Sequence, residues 1–194
     1  MIHRSLLAAV AALGLGVLAP SSAALATTFA QSTEAERVAR ADLAIHGTVV
    51  EMWTEQDTSG HVVTRVMIDP ESVLKGDAPD GAIVVTQPGG ELAGLRTIVD
   101  GTARFNVGEQ VVVLLQHKER FDTFVLVNMV QGKYSIRLDP HTHREVVQQI
   151  VVAPHLEFDH RFLPFPAEED KVFLDDLVNL IQTTPSTERP EVSR

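Results

Sequence analysis

Three polar residues in the second half of the chain have the spacing of a metal site. Asp139 is followed by His141 and His143, and alternate residues of a strand point to the same face. Two imidazoles on one face can share a divalent metal ion, with His155 or His160 completing the ligand set. The same stretch also has the composition of a hairpin turn, which displays histidines on the surface without any chemistry. Both interpretations stay open at this point.

Four further residues are candidates for contact with a ligand or partner. Gly89 and Gly90 follow Pro88, and residues without side chains let a ligand approach the backbone closely. The alternative is a tight loop that crosses one end of the fold. Trp53, the only tryptophan, could stack on a sugar or a partner side chain, or cap one end of the core. Arg96 completes this candidate binding set.

The motifs of common hydrolases do not occur in the sequence. The 194 residues contain no Gly-x-Ser-x-Gly, no His-Glu-x-x-His and no cysteine. We therefore expect a protein that is not an enzyme, has no disulfide and needs no cofactor, apart from the possible divalent metal. The 26 acidic residues outnumber the 16 basic ones, for a net charge of −10. This charge argues against nucleic acid as a partner.

Residues 1–26 have the pattern of a secretory signal peptide. Arg4 precedes the uncharged apolar run Leu6–Ala19, and Ala24 and Ala26 give the small-x-small pattern of a cleavage site. The run is shorter than the about 20 residues that span a bilayer. We expect cleavage after Ala26 and a secreted or periplasmic protein with no membrane anchor.

The mature chain is predicted to consist of a barrel between two helical segments. Within residues 27–41, Thr33 and Glu36 have the spacing of a capping box and predict a short helix over Glu34–Arg40. The barrel is assigned to residues 42–153. A proline-rich linker and a helix over Ala167–Thr183 occupy residues 154–183, where apolar residues recur at helical spacing. Residues 184–194 are a polar tail, expected to be disordered.

Alternating and continuous apolar stretches predict the strands of the barrel. Asp69 and Pro70 interrupt the second strand, where we expect a bulge or a sheet edge. The predicted strands are Leu43–Trp53, Val62–Leu74, Ala82–Gln87, Arg96–Val99, Val111–Leu115, Phe124–Val130, Tyr134–Leu138 and Glu145–Val152. The fold class is therefore mainly β, a small closed OB-like barrel of about six to eight strands with a helix at each end.

The order of four stretches resembles a group of secreted bacterial proteins with no assigned activity. These stretches are Asp42–Val50, Ser72–Gly76, Pro88–Gly90 and Phe105–Leu114. They correspond to a "vvGtV" strand, a "vlKG" strand end, a "pGG" loop and an "f-x-x-Ge-x-vvvfL" strand in that group. The resemblance implies an OB-like barrel similar to netrin-type and metalloproteinase-inhibitor modules, and it implies no reaction. Inhibitors of that fold chelate zinc through an N-terminal cysteine, whereas the expected terminus here is Thr27.

These observations favour a secreted, non-catalytic β-barrel module that binds an extracellular protein or another envelope ligand. One alternative is an inhibitor or escort of a co-secreted protease, which rests on the fold resemblance. The other is a metal-binding protein or metal-dependent enzyme that uses Asp139, His141 and His143.

Overall fold

The structure is a computed structural model that describes residues 32–149 and 171–187. The expected signal peptide at residues 1–26, the candidate ligands His155 and His160, and the end of the tail lie outside these ranges. Within them the chain forms ten strands and two α-helices, named α1 (Glu34–Arg40) and α2 (Leu174–Thr183). Neither helix of these ranges is long and apolar enough to cross a membrane.

Helix α1 has the predicted bounds because its capping box is formed. The Thr33 hydroxyl accepts a hydrogen bond from the Glu36 backbone N–H at 3.2 Å. The Glu36 carboxylate in turn accepts one from the Thr33 backbone N–H at 2.9 Å. Two amides that have no partner within the helix are thereby satisfied.

Nine strands follow one another along residues 43–148, and one more strand begins at residue 172. In chain order they are β1 (Leu43–Gln56), β2 (Val62–Lys75), β3 (Ile83–Pro88), β4 (Gly90–Leu92), β5 (Leu95–Thr97), β6 (Gln110–Lys118), β7 (Thr123–Leu126), β8 (Lys133–Leu138), β9 (Glu145–Gln148) and β10 (Val172–Phe173).

Eight of these strands form one sheet, in the order β1-β2-β3-β7-β6-β8-β9-β10. Because β6 also pairs with β1, the sheet curls back on itself as a partial ring. The ring is joined between β3 and β7 by one parallel residue pair, Val85 with Phe124. Strands β4 and β5 form a separate two-stranded sheet between β3 and β6 in the chain. The expected mainly β fold with a helix towards each end of the sequence is confirmed.

Pro70 lies beside a bulge in β2, as the sequence predicted. His46 pairs with Ser72 whereas Gly47 pairs with Pro70, so Glu71 is an extra residue in β2. A bulge is a favourable place in a strand for a residue without a backbone donor. A Cβ on Gly47 would lie 2.3 Å from a backbone oxygen of β2. The glycine therefore permits the close approach of the two strands.

The core has two parts, which share strands β1 and β6. One part gathers side chains from the strands of the partial ring, among them Leu43, Ile45, Val49, Val66, Ile68, Ile83, Val85, Val111, Val113 and Leu115. The other joins β1, β6 and β8 to the two helices, among them Val38, Ala44, Val112, Leu114, Tyr134, Leu174, Leu177 and Ile181. Because alternate residues of β6 enter different parts, this strand is buried on both faces, as its continuous apolar run predicted.

A buried charge network ties β6 to β8. The Lys133 ammonium lies 2.5 Å from the Glu109 carboxylate, and the two side chains are only 3% and 13% exposed. It also donates to the Arg104 carbonyl oxygen and to the Ser135 hydroxyl, and it lies 5.0 Å from the centre of the Phe105 ring. Burial lowers the pKa of Lys133, while the charge of Glu109 acts in the opposite direction. Glu109 belongs to the "f-x-x-Ge" stretch, so this motif residue has a structural role.

The strand predicted over Phe124–Val130 is wrong in its second half. Strand β7 ends at Leu126, since Asn128 and Met129 have left-handed backbone conformations with φ of 49° and 56°. A short 3-10 turn over Met129–Gly132 follows instead.

The C-terminal helix begins later than the predicted Ala167, although its end at Thr183 is confirmed. The two residues before Leu174 form β10, which pairs with β9. The start of the tail that we expected to be disordered contacts α1, because the Thr187 backbone N–H donates to the Ala39 carbonyl oxygen at 2.9 Å.

Candidate functional site

Three of the four residues that we assigned to ligand or partner binding line one cleft. They are Gly89, Gly90 and Arg96, and the cleft has a volume of about 160 Å³. We call it the hairpin cleft, because the β4–β5 hairpin forms one side of it. Its lining residues are Thr64, Gln87, Pro88, Gly89, Gly90, Arg96, Thr97, Ile98, Val99, Thr102 and Arg104. The structure thus brings these three residues together, and their assignment to binding stays a prediction.

The two glycines allow the hairpin to lie close to β1 and β2. Gly89 and Gly90 have φ of 86° and 141°, which residues with a side chain rarely adopt. A Cβ on Gly90 would lie 2.6 Å from the Thr64 hydroxyl and 2.7 Å from a methyl carbon of Thr54. The Thr64 hydroxyl also donates to the Gly89 carbonyl oxygen at 2.7 Å. This contact supports the alternative given for Gly89 and Gly90 above, a tight loop. The same loop also lines the hairpin cleft.

A two-residue turn of Ala93 and Gly94 shapes the tip of the hairpin. Their φ angles of 51° and 77° are both positive, as in the turns that suit the twist of two-residue hairpins. Leu95, next to the turn, is 76% exposed, and Ile98, which follows β5 and lines the cleft, is 52% exposed. The hairpin and the residue after it therefore present two large apolar side chains to solvent.

Two arginines line the hairpin cleft. Arg96 and Arg104 both interact with other groups of the molecule, and none of the lining residues within the described ranges has a carboxylate. Gln87 also lines the cleft. Its side chain is neutral and has both hydrogen-bond donors and an acceptor. The Oε1 atom of Gln87 is buried and has no hydrogen-bond donor among the described residues. Sequence reasoning missed Gln87, which lies two residues before Gly89, and Arg104, which follows the hairpin in the chain.

Trp53, the fourth candidate, does not line the hairpin cleft. Its indole N–H donates to one carboxylate oxygen of Glu55 at 3.0 Å. The other oxygen accepts from the Nε of Arg65 at 2.8 Å, and the Arg65 guanidinium also donates to Thr86 and Thr123. The hydrogen bond from Arg65 is the main cause that lowers the pKa of Glu55, and the hydrogen bond from Trp53 is the next. The tryptophan is thus part of a polar row across β1, β2, β3 and β7.

A second cleft, of about 690 Å³, was not predicted from the sequence. It is lined by Asp42, Leu43, Arg65, Asp77, Ala78, Pro79, Ala82, Ile83, Val84, His117, Asp122, Thr123 and Phe124. The Nε2 atom of His117 lies 3.2 Å from the Asp122 carboxylate, and its backbone N–H donates to Asp42 at 2.9 Å. Acidic and basic side chains both line this cleft, so the lining indicates no single ligand charge.

The structure places the candidate metal ligands in a turn. The Asp139 carboxylate, 1% exposed, lies 2.6 Å from the ammonium of Lys171 and accepts the backbone N–H of His141 at 2.9 Å. Hydrogen bonding from Lys171 is the main cause that holds the pKa of Asp139 well below its ordinary value of 3.8. His143 has a φ of 55°, and both histidines are exposed.

This arrangement is the hairpin turn that we considered as the alternative. Within residues 32–149 and 171–187, no group of three or more His, Cys, Asp or Glu side chains is arranged to hold a metal ion. The carboxylate of Asp139 forms an ion pair with Lys171. His155 and His160, which we proposed as further ligands, lie outside these ranges.

No protein-family model matches the chain, and no curated protein matches it. The inference of function therefore rests on the geometry of the two clefts and of the hairpin.

Proposed function

We propose that this protein is a secreted, non-catalytic binding module that recognises a partner protein through the β4–β5 hairpin. The observation that carries the proposal is the exposure of two apolar side chains, Leu95 on β5 and Ile98 just after it, together with a cleft that is lined by Ile98 and two arginines. Arginine is enriched in protein interfaces, and the buried core of an interface is more apolar than the rest of the protein surface. The burial of an exposed apolar side chain under a partner contributes favourably to the free energy of binding.

The proposed architecture is an OB-like barrel, similar to the netrin-type and metalloproteinase-inhibitor modules named above. Its support is the order of pairings, in which β1, β2, β3, β7 and β6 follow one another and β6 returns to β1. The side chains of these same strands form one core cluster. Barrels of this type bind ligands through one face and through the loops at its rim, and the hairpin is one such loop.

Secretion is proposed from the amino-terminal pattern of Arg4, the apolar run and the small residues before Thr27. Inhibition or escort of a co-secreted protease would be one form of such binding, with a protease as the partner. No described contact favours it over other extracellular partners.

Photo-crosslinking tests the proposed surface. A photoreactive phenylalanine analogue replaces Leu95 in the mature protein, which is then irradiated in the secreted fraction of the producing cells. The matched control carries the analogue at Leu138, which is 59% exposed on β8. We expect one crosslinked species of defined mass from position 95, absent from position 138 and lost with Ile98→Ser. Equal products from both positions, or no product from either, would contradict the proposal.

A further inference from the structure

The loop between β2 and β3 contains a peptide bond with the composition of a spontaneous modification site. Asp80 is followed directly by Gly81, and both residues are exposed. An aspartyl carboxyl group can be attacked by the amide nitrogen of the next residue, which closes a succinimide ring. Glycine favours this attack because it has no Cβ that shields its nitrogen. The bond between Asp80 and Gly81 is therefore a candidate for this chemistry.

The surroundings of Asp80 and Gly81 leave the bond free to react. Neither residue forms a hydrogen bond with another residue in the described part of the chain. A Cβ added at Gly81 would have no atom within 4 Å, so the backbone here is not packed against a neighbour. Exposed loop positions with small residues tolerate chemical and conformational change best. The backbone can therefore rotate into the reactive geometry without the loss of a contact.

The other Asp-Gly pair of the sequence, Asp100 and Gly101, lies in a constrained turn. The Thr102 backbone N–H donates to the Val99 carbonyl oxygen at 3.4 Å, and the Thr102 hydroxyl donates to the same oxygen at 2.9 Å. The φ of Gly101 is 84°, as the third position of a type II turn requires. The Gly101 carbonyl oxygen also accepts from the Val130 backbone N–H at 2.9 Å. Ring closure here would rotate the central peptide of the turn and disturb these contacts.

We infer that Asp80 converts spontaneously to an isoaspartyl residue in the folded protein, whereas the turn protects Asp100. The Gly81 nitrogen forms a bond with the Asp80 carboxyl carbon, and water leaves with the amide proton and the carboxyl OH group. A second water molecule then breaks the bond from the ring nitrogen to one of the two carbonyl carbons. If the side-chain bond breaks, Asp80 is restored. If the main-chain bond breaks, the backbone runs through the side chain of an isoaspartyl residue.

The modification would change the wall of the second cleft. Pro79 and Ala82 both line that cleft, and Asp80 and Gly81 connect them in the chain. An isoaspartyl residue adds one carbon atom to the backbone between the two lining residues and carries its free carboxylate next to Cα. The inference is independent of the proposed binding function, because no residue of β4 or β5 takes part.

Incubation of the folded mature protein at neutral pH, followed by trypsin digestion, tests the inference. Trypsin cleaves after lysine and arginine, so the two Asp-Gly pairs separate into a first peptide of residues 76–96 and a second peptide of residues 97–104. Isoaspartate has the same mass as aspartate, so the readout is methyl transfer by an isoaspartyl methyltransferase. The first peptide should accept methyl groups at least about tenfold faster than the second, since the turn hydrogen bonds add to the barrier in the second.

Unfolded protein and two substitutions identify the cause. In urea both Asp-Gly pairs are free, so the two peptides should be modified at similar rates. Asp80→Glu keeps the charge but would need a larger, less readily formed ring, so it should abolish methylation of the first peptide. Asp77→Glu, an exposed position of the same peptide, is the matched control and should leave methylation unchanged.

Three outcomes would overturn the inference. They are equal methylation of the two peptides from the folded protein, absence of methylation from the first peptide, and methylation of the first peptide that persists in Asp80→Glu. The first two are measured on the unsubstituted protein, so they decide the question even where a variant fails to fold.

Discussion

Among single residues, Lys133 shows how a buried charge depends on its partner. Glu109→Gln would leave the ammonium buried without a counter-charge, because the new amide is neutral, as are the Arg104 carbonyl and the Ser135 hydroxyl. Removal of one member of a buried ion pair costs about 3–5 kcal/mol. We therefore expect a loss of this size in the free energy of unfolding, measured by urea denaturation.

The double variant Glu109→Gln, Lys133→Met is the control for this expectation. It removes both charges and keeps an apolar side chain of similar length, so it should be less destabilised than Glu109→Gln alone. Equal destabilisation of the single and the double variant would show that the ion pair is not the cause.

Asp139 predicts a pH dependence of stability. Its pKa is lowered in the folded protein, mainly by Lys171, so its contribution is present at neutral pH and is lost as the pH falls below about 4, towards the folded-state pKa. Asp139→Asn should therefore be less stable at pH 7, and the two stability curves should converge in acid. Thermal unfolding from pH 7 to pH 2 measures this. Asp80→Asn, at an exposed position, should not change the curve, and a constant gap between wild type and Asp139→Asn would refute the explanation.

Residue identity alone predicted part of the candidate site. Gly89, Gly90 and Arg96 are near one another in sequence and lie in one cleft, so local reasoning was sufficient for them. Gln87 is equally close in sequence but has no functional signal of its own, whereas Arg104 follows the hairpin and only the fold brings it to this cleft. Trp53 was chosen for its type alone, and its indole is engaged by Glu55 on the same strand.

Among the secondary-structure elements, the end of β2 depends on a glycine with a specific steric role. Gly76 has a φ of 78°, and a Cβ there would lie 2.0 Å from the Asp42 carbonyl oxygen. Gly81 has a φ of 84° with no atom within 4 Å of the added carbon. Gly81→Ala should cost about 1–2 kcal/mol through backbone strain, and Gly76→Ala about 1–3 kcal/mol more through the clash. Urea denaturation of both variants measures the difference, and equal losses would contradict it.

Elements that are specified by neighbouring residues were predicted well, and those that depend on distant partners were not. Helix α1 has its own capping box, and β6 has a continuous apolar run. The start of α2 was misplaced because Val172 and Phe173 have apolar side chains at helical spacing, yet their backbones pair with β9. The end of β7 was misplaced because the left-handed conformation of Asn128 and Met129 has no strong local signal.

As a unit, the protein should unfold in one step, because β1 and β6 contribute to both parts of the core. Leu177 on α2 is 1% exposed in the second part, and Leu177→Ala should cost about 2–5 kcal/mol. The fluorescence of Trp53, the only tryptophan, reports on the ring strands, and circular dichroism reports on all elements. Both midpoints in urea should shift together.

The control variant for this test is Asn179→Ala, which alters an exposed position of the same helix and should change stability by less than about 0.5 kcal/mol. A shift of the circular dichroism midpoint with an unchanged Trp53 midpoint would show that the two parts of the core unfold separately.

The bulge in β2 also sets where this strand tolerates a change of length. Glu71 is unpaired between Ser72 and Pro70, so its deletion leaves the pairs on both sides in place. Deletion of Val66, from a regularly paired stretch, would exchange inward and outward side chains on one side of the gap. Over evolutionary time, insertions and deletions in this strand are therefore expected to accumulate at position 71 and to be purged at position 66.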